Sequence, residues 1–119
     1  MNTHEPHRLT TDEERAELLG LARRAIREAI ATGDPLAYET DNPYFLKPAA
    51  VFVTLRSAPY YYEPEGELRG CVGRTDADAP LYLAVQDAAI KAATIDPRFY
   101  PVTTDELDQL SIEISILSP

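Results

Sequence analysis

From Leu18 to Ile30 the apolar side chains recur at three- and four-residue intervals. Leu18, Ala22, Ala25 and Ala29 are joined by Leu19, Ile26 and Ile30, while Arg15, Arg23, Arg24, Arg27 and Glu28 mostly take the opposite face. That spacing predicts an amphipathic helix. Thr11 and Glu14 bracket its start in capping-box form, each able to satisfy an amide left free at the first turn. Gly33 followed by Asp34 and Pro35 ends it. A second stripe, Leu81, Val85, Ala88 and Ala92 flanked by Ala84 and Ala89, predicts another helix running to about Ile95. Its alanines imply close packing on a sheet. Asp76 and Asp78 ahead of Pro80 read as its acidic start, with proline in the first turn.

Between and after these stripes the period changes. Ala50 to Leu55 is β-branched and aromatic, Leu68 to Val72 is a second short extended candidate, and Ile112 to Ile116 alternates with period two, its isoleucines facing inward. Residues 34–48, with Pro35, Pro43 and Pro48, read as a connecting loop without sustained helix. Residues 57–66 make a long hairpin excursion in which Tyr60, Tyr61 and Tyr62 are expected to pack over the sheet edge. Thr104 to Leu107 opens a single helical turn. Helix, strand, strand, helix, strand predicts an α+β fold: a small, mainly antiparallel sheet covered by two amphipathic helices. A sheet of three strands leaves edges unpaired, so the terminal strand is an expected route to a homo-oligomer or a partner.

Composition narrows the function. A length of 119 residues fits one domain, expected over 11–119 behind a flexible stretch at 1–10, and 45% hydrophobic against 26% charged residues is that of a soluble globular protein. Eleven Lys and Arg against 20 Asp and Glu give a formal net charge of −9, which repels phosphate backbones and argues against nucleic-acid binding by this chain alone. No apolar run reaches the roughly 20 residues of a membrane helix. A single cysteine, Cys71, and no secretory leader pattern predict a reducing, cytoplasmic setting. His4 and His7 are the only histidines, both near the start, so a histidine-based triad or metal cage is hard to build.

The densest unusual stretch is Glu67 to Arg74, Glu-Leu-Arg-Gly-Cys-Val-Gly-Arg. In an extended chain, Leu68, Gly70 and Val72 share one face, and Glu67, Arg69, Cys71 and Gly73 the other. A guanidinium at Arg69 beside Cys71 favours the thiolate, and Gly70 and Gly73 leave room for a substrate or another backbone. The competing reading makes Cys71 a packed small hydrophobe, the glycines bulge markers, and Arg69 the partner of an acid such as Glu67. Asp96 and Arg98, flanking Pro97, suit an anion or substrate clamp; alternatively Asp96 organises the turn, Arg98 pairs with a surface acid and Phe99 plugs the core. Glu63, Glu65 and Glu67 read as solvated charges, so no metal and no cofactor are expected.

Leu68-Arg69-Gly70-Cys71-Val72-Gly73 resembles the signature of the AMMECR domain family, called protein A of the AmmeMemoRadiSam system in prokaryotes. The resemblance extends to Val51–Leu55, to Pro80-Leu81-Tyr82 with Ala84-Val85, to Asp96-Pro97-Arg98-Phe99, to Pro101-Val102 and to Ile112–Pro119, in order and spacing. It runs from about Leu18 to Pro119 and covers the N-terminal part of the usual family domain. Val72 stands where isoleucine is common and Tyr100 where a second proline is usual; the family's further strands and its Leu-Leu-Pro-Gln region do not occur here.

The resemblance implies an α+β fold with no established reaction, associated with a Memo-like protein and a radical SAM protein in a modification system. The family motif falls on Arg69, Gly70, Cys71 and Gly73, with Asp96, Pro97, Arg98 and Phe99 as a second matching cluster. The expected function is a binding or scaffolding component pairing with those partners. The alternative is a cysteine-dependent enzyme with Cys71 as nucleophile and Arg69 lowering its pKa. Its candidate substrate is a nucleotide or RNA-derived molecule, bound near Gly70, Gly73, Asp96 and Arg98.

Overall fold

The Thr11 hydroxyl accepts the Glu14 amide and the Glu14 carboxylate accepts the Thr11 amide, each at 3.1 Å, so the capping box forms as its sequence predicts. Helix α1 then runs from Asp12 to Thr32 and stops at Gly33, whose φ of 78° is the left-handed cap that glycine adopts without a Cβ penalty. The computed structural model describes residues 10–59 and 61–117; His4, His7, Tyr60 and nearly all of the expected flexible N-terminus lie outside them.

Around α1 the chain lays down α2 (Pro43–Leu46), β1 (Ala50–Arg56), β2 (Leu68–Arg74), α3 (Leu81–Thr94), α4 (Thr104–Leu107) and β3 (Ser111–Leu117). The sheet order is β2-β1-β3, both pairings antiparallel, so α3 carries the chain from one edge, across the central strand, to the other. Helix α3 packs on β1 and β2, and α1 packs on α3 and β3. Both helices therefore lie on one face of an α+β fold.

The core forms where the two helical stripes meet the inward face of the sheet. Leu18, Ala22 and Ile26 of α1, Leu81, Val85 and Ala89 of α3, and Val51, Val53 and Leu55 of β1 are buried together. Ile112 is buried and Ile114 and Ile116 pack against the same cluster, so the isoleucines of β3 do face inward. Along β1 the pattern alternates, turning Phe52 and Thr54 to the opposite face, where Phe52 is 36% exposed.

Four expectations are corrected. Residues 34–48 are not wholly loop: Asn42 caps α2 through the Tyr44 amide, Pro43 occupies its first turn, and this short helix plugs Phe45 into the core. Pro80 is the N-cap of α3 instead of a first-turn residue, and no acid sits in that turn; the Leu81 amide is satisfied by the Lys47 carbonyl at 2.9 Å, while Asp78 binds Arg74. Tyr61 and Tyr62 do not cover the sheet edge, being 88% and 81% exposed and packed edge-on against each other. Arg23 is not on a solvated face; it donates to the carbonyls of Leu107 and Leu110, closing the end of α4 against α1.

Candidate functional site

Strand β2 lies at a sheet edge, and its central rung is Cys71. In an antiparallel ladder the amide and carbonyl of one residue point to the same side. At Cys71 both point away from β1: the amide donates to Asp96 Oδ2 at 3.0 Å, and the carbonyl accepts from Arg98 Nη2 at 3.3 Å. Asp96 and Arg98 are themselves joined twice, Nη2 to Oδ2 at 2.7 Å and Nε to Oδ1 at 3.0 Å. Together the two side chains occupy the place of a neighbouring strand.

The turn after α3 sets up this pair. The α3 stripe ends at Thr94, Pro97 stops further helix, and the Asp96 side chain accepts the Arg98 amide at 3.1 Å in a turn of the kind Asp favours. Only 6% of Asp96 is exposed. The Arg98 hydrogen bonds hold its carboxyl far below the usual carboxylate range; burial opposes this, and the Cys71 amide adds to it.

The Cys71 side chain points to the sheet face opposite the helices, directly across from Thr54, whose Oγ1 is 3.4 Å from Sγ. That is the hydrogen bond made by Sγ among the described residues, and the thiol is half-buried. Arg69 goes elsewhere. Register shifts at Leu55/Arg56, so that Arg56 faces Leu68 and Arg69 becomes an extra residue in β2. Its guanidinium binds Glu106 of α4 through both carboxylate oxygens and also reaches the Tyr100 carbonyl. Those hydrogen bonds lower the Glu106 pKa against the opposing effect of burial. The acid holding Arg69 is thus Glu106 and not Glu67.

Phe99 is not a core plug. Its ring lies 5.2 Å from the Arg98 guanidinium carbon and 5.9 Å from that of Arg69, between two cations that are each already paired. The space at the two glycines is taken by the protein itself: a Cβ on Gly70 would land on the Ala92 carbonyl oxygen of α3, and one on Gly73 on the Phe52 ring. Gly70 therefore permits close approach of helix and strand, and Gly73 gives Phe52 its resting place.

The structure thus gathers Arg69, Cys71, Asp96 and Arg98 around one strand edge, with Gly70 and Gly73 serving the packing on either side. Glu106 and Thr54 complete the cluster. Neither was legible as a site residue, because the bond from Arg69 to Glu106 spans 37 residues and that from Thr54 to Cys71 spans 17, with no local spacing to announce them. Among the described residues no group of three or more His, Cys, Asp or Glu side chains is placed to hold a metal ion. No helix there is long and apolar enough to cross a membrane.

A one-sided α+β sheet with an internally neutralised ion-pair cluster along its β2 edge defines the class of this protein. The chain belongs to the AMMECR1 family, whose model matches residues 19–119. It is similar to a protein of Methanothermobacter thermautotrophicus, 43% identical over 112 residues and covering 93% of this chain and 54% of that one. It is also similar to Protein PH0010 of Pyrococcus horikoshii, 44% identical over 103 residues, covering 86% and 49%. The crystal structure of PH0010, described as an uncharacterized protein, superposes with a TM-score of 0.83 at 42% identity, over 92% of this chain and 53% of that chain. The chain spans about half the length of the relatives it matches.

Proposed function

We propose that this chain is a binding module, a scaffolding component of a modification system, and that it receives its partner on the open sheet face around Cys71. The observation that carries the reading is the charge pairing at the site. Arg69 is bound to Glu106 and Arg98 to Asp96, so both guanidinium groups near the thiol are committed to carboxylates within the chain. A cluster of that kind rigidifies a strand edge, and each guanidinium's charge is largely offset by its own carboxylate before it acts on a neighbour. The adjacent face, with Phe52 partly exposed and Thr54 and Cys71 half-buried, offers an apolar and weakly polar platform.

The family resemblance suggests a Memo-like protein and a radical SAM protein as the partners. Purified chain is tested against each by calorimetry or surface binding. Binding is expected for the native chain and for Cys71→Ser, and is lost in Phe52→Glu. Retention of full affinity in Phe52→Glu overturns the placement of the interface.

A cysteine-dependent reaction is the second reading, favoured by the position of the thiol on an uncovered face. It is separated from the first by the alkylation rate of Cys71 against pH in native and denatured chain. A native thiol reacting as thiolate well below the ordinary cysteine value of about 8.5 supports the enzyme. Native and denatured profiles with the same midpoint support the binding module.

A further inference from the structure

Along the β2 edge the outward hydrogen-bonding groups can be followed rung by rung. Pairing with β1 runs without interruption from Arg74 to Gly70, and alternation makes Cys71 and Gly73 the outward rungs of that stretch. Beyond Gly70 the register shift at Arg69 breaks the ladder. At Cys71 the amide goes to Asp96 and the carbonyl to Arg98. Among the described residues, nothing outside the sheet bonds to Gly73. Little else on the strand discourages pairing. Leu68 to Arg74 contains no proline or lysine, and its two arginines are spent on Glu106, Asp78 and Asp87. The pair at Cys71 thus removes the middle of an edge that is otherwise fit to receive a strand.

The loop that carries the pair is braced. The Ala93 carbonyl accepts the Val102 amide at 2.8 Å, closing the excursion, and the Asp96 carbonyl accepts the Phe99 amide at 3.1 Å. Asp96 Oδ1 takes the Arg98 amide, and the Phe99 ring lies 5.2 Å from the Arg98 guanidinium carbon. The Asp96 side chain is buried against the strand, while more than half of Arg98 faces water and meets anything that approaches the edge.

We infer that the Asp96–Arg98 pair is a guard: it keeps a further strand from adding to the β2 edge, and the edge pairs once the guard is removed. An incoming backbone has to displace two charge-assisted hydrogen bonds at one rung and leave the Asp96 carboxylate buried away from its cation. Without Cys71, no two consecutive outward rungs of the uninterrupted stretch are open. The guard acts on the edge of the sheet and does not depend on which partner occupies its open face.

The experiment compares the full native chain with Asp96→Ser/Arg98→Ser and with Arg98→Lys. The double variant loses one acid and one base, so the formal net charge stays at −9 and no buried charge is left unpaired; serine also keeps a turn-forming hydroxyl at 96. Arg98→Lys keeps a cation beside Asp96 and the bond from Asp96 to the Cys71 amide, and frees the carbonyl alone. Each protein is followed over a micromolar concentration series, at salt that screens the net charge, by sedimentation and by hydrogen exchange at the Cys71 amide. A short bis-maleimide is the third probe. With one cysteine per chain, a linked dimer locates the contact at β2.

In a pure sample the strand available to a freed edge is β2 of another copy, antiparallel, with Cys71 against Cys71. The native chain is expected to protect the Cys71 amide equally at every concentration and to give no linked dimer. The double variant is expected to lose that protection when dilute, to regain it when concentrated, and to associate about tenfold more tightly than the native chain, the worth of the two hydrogen bonds that a Cys71–Cys71 rung exchanges. Arg98→Lys, which frees one group of the two, falls between. The inference is overturned by a folded double variant that neither regains protection nor links beyond the native level. Native chain that links as readily as the double variant overturns it too. Should the double variant fail to fold, Arg98→Lys decides, and linking no greater than native overturns the guard.

Discussion

Asp96 stands in for a strand: its Oδ2 accepts the Cys71 amide at 3.0 Å, where the carbonyl of a neighbouring chain would sit in a wider sheet. With Arg98 on the Cys71 carbonyl, one ion pair closes one rung of the β2 edge. Replacing Asp96 by alanine leaves a backbone donor unpaired and an arginine uncompensated. Asp96→Ala is therefore expected to lower the unfolding midpoint more than Arg98→Ala, whose guanidinium is largely solvated. Equal effects of the two substitutions would refute this account of the edge.

The same carboxyl sets a pH dependence. Asp96 is held far below its ordinary value by Arg98, with a further contribution from the Cys71 amide, and Glu106 is lowered by Arg69. Asp87 is lowered because hydrogen bonds from Arg74 and Lys91 outweigh its burial. A carboxyl with a depressed native pKa contributes stability that is present above the unfolded value and lost as pH falls toward the native one. Stability should then be flat down to about pH 5 and decline as pH drops through the ordinary carboxylate range near 4 and below. Urea unfolding against pH measures this, and Asp96→Asn should flatten the slope.

Gly70 and Gly73 separate rigid from yielding contacts. At Gly70 a methyl group meets the Ala92 carbonyl of α3, which cannot move without the helix, so Gly70→Ala should cost about 3 kcal/mol. At Gly73 the obstruction is the Phe52 ring, which can rotate, so Gly73→Ala should cost about 1 kcal/mol and less in a Phe52→Ala background. Chemical denaturation of the single and double variants tests the distinction. An equal cost of Gly73→Ala with and without Phe52 argues against it.

Arg69 and Glu106 form a two-point bond between β2 and α4, each side chain less than a third exposed. A double-mutant cycle with Arg69→Met and Glu106→Gln should return a coupling of about 1 kcal/mol, the scale of a partly solvated pair with good geometry. A coupling near zero would mean that α4 is held to the rest of the fold without this pair, by buried Leu107, by Arg23 on the Leu107 and Leu110 carbonyls and by Arg27 on Asp108.

What could be seen in the sequence was whatever is encoded locally. The capping box at Thr11, the Gly33 stop, the alanine stripe of α3 and the alternation of Ile112, Ile114 and Ile116 each lie within a few residues, and each forms as expected. Thr11→Ala should cost about 1 kcal/mol in thermal unfolding, the ordinary value of a cap. Helix α2 escaped notice because three prolines between 34 and 48 masked Asn42-Pro43, a cap and first turn sufficient for one turn around Phe45. The neighbours of Cys71 were only half visible. Asp96 and Arg98 stand out in the sequence by flanking Pro97, but Glu106 and Thr54 do not, since tertiary contacts across 37 and 17 residues leave no periodic trace. The tyrosines misled because an amphipathic ring at a loop tip reads the same whether it folds back or faces water.

The strand order carries a kinetic consequence. The central strand is the first of the three in the chain, and its two sides are completed over very different loop lengths: Thr54 finds Cys71 17 residues away, whereas Arg56 finds Glu113 only after 57. Closing the shorter loop costs less entropy, so the β1–β2 hairpin is placed to enter the folding nucleus early, with β3 docking once α3 has laid the chain across the sheet. Substitutions in β3 should then speed unfolding and hardly touch the folding rate, while those in the hairpin slow folding. The last strand to arrive is thus also the first that can leave.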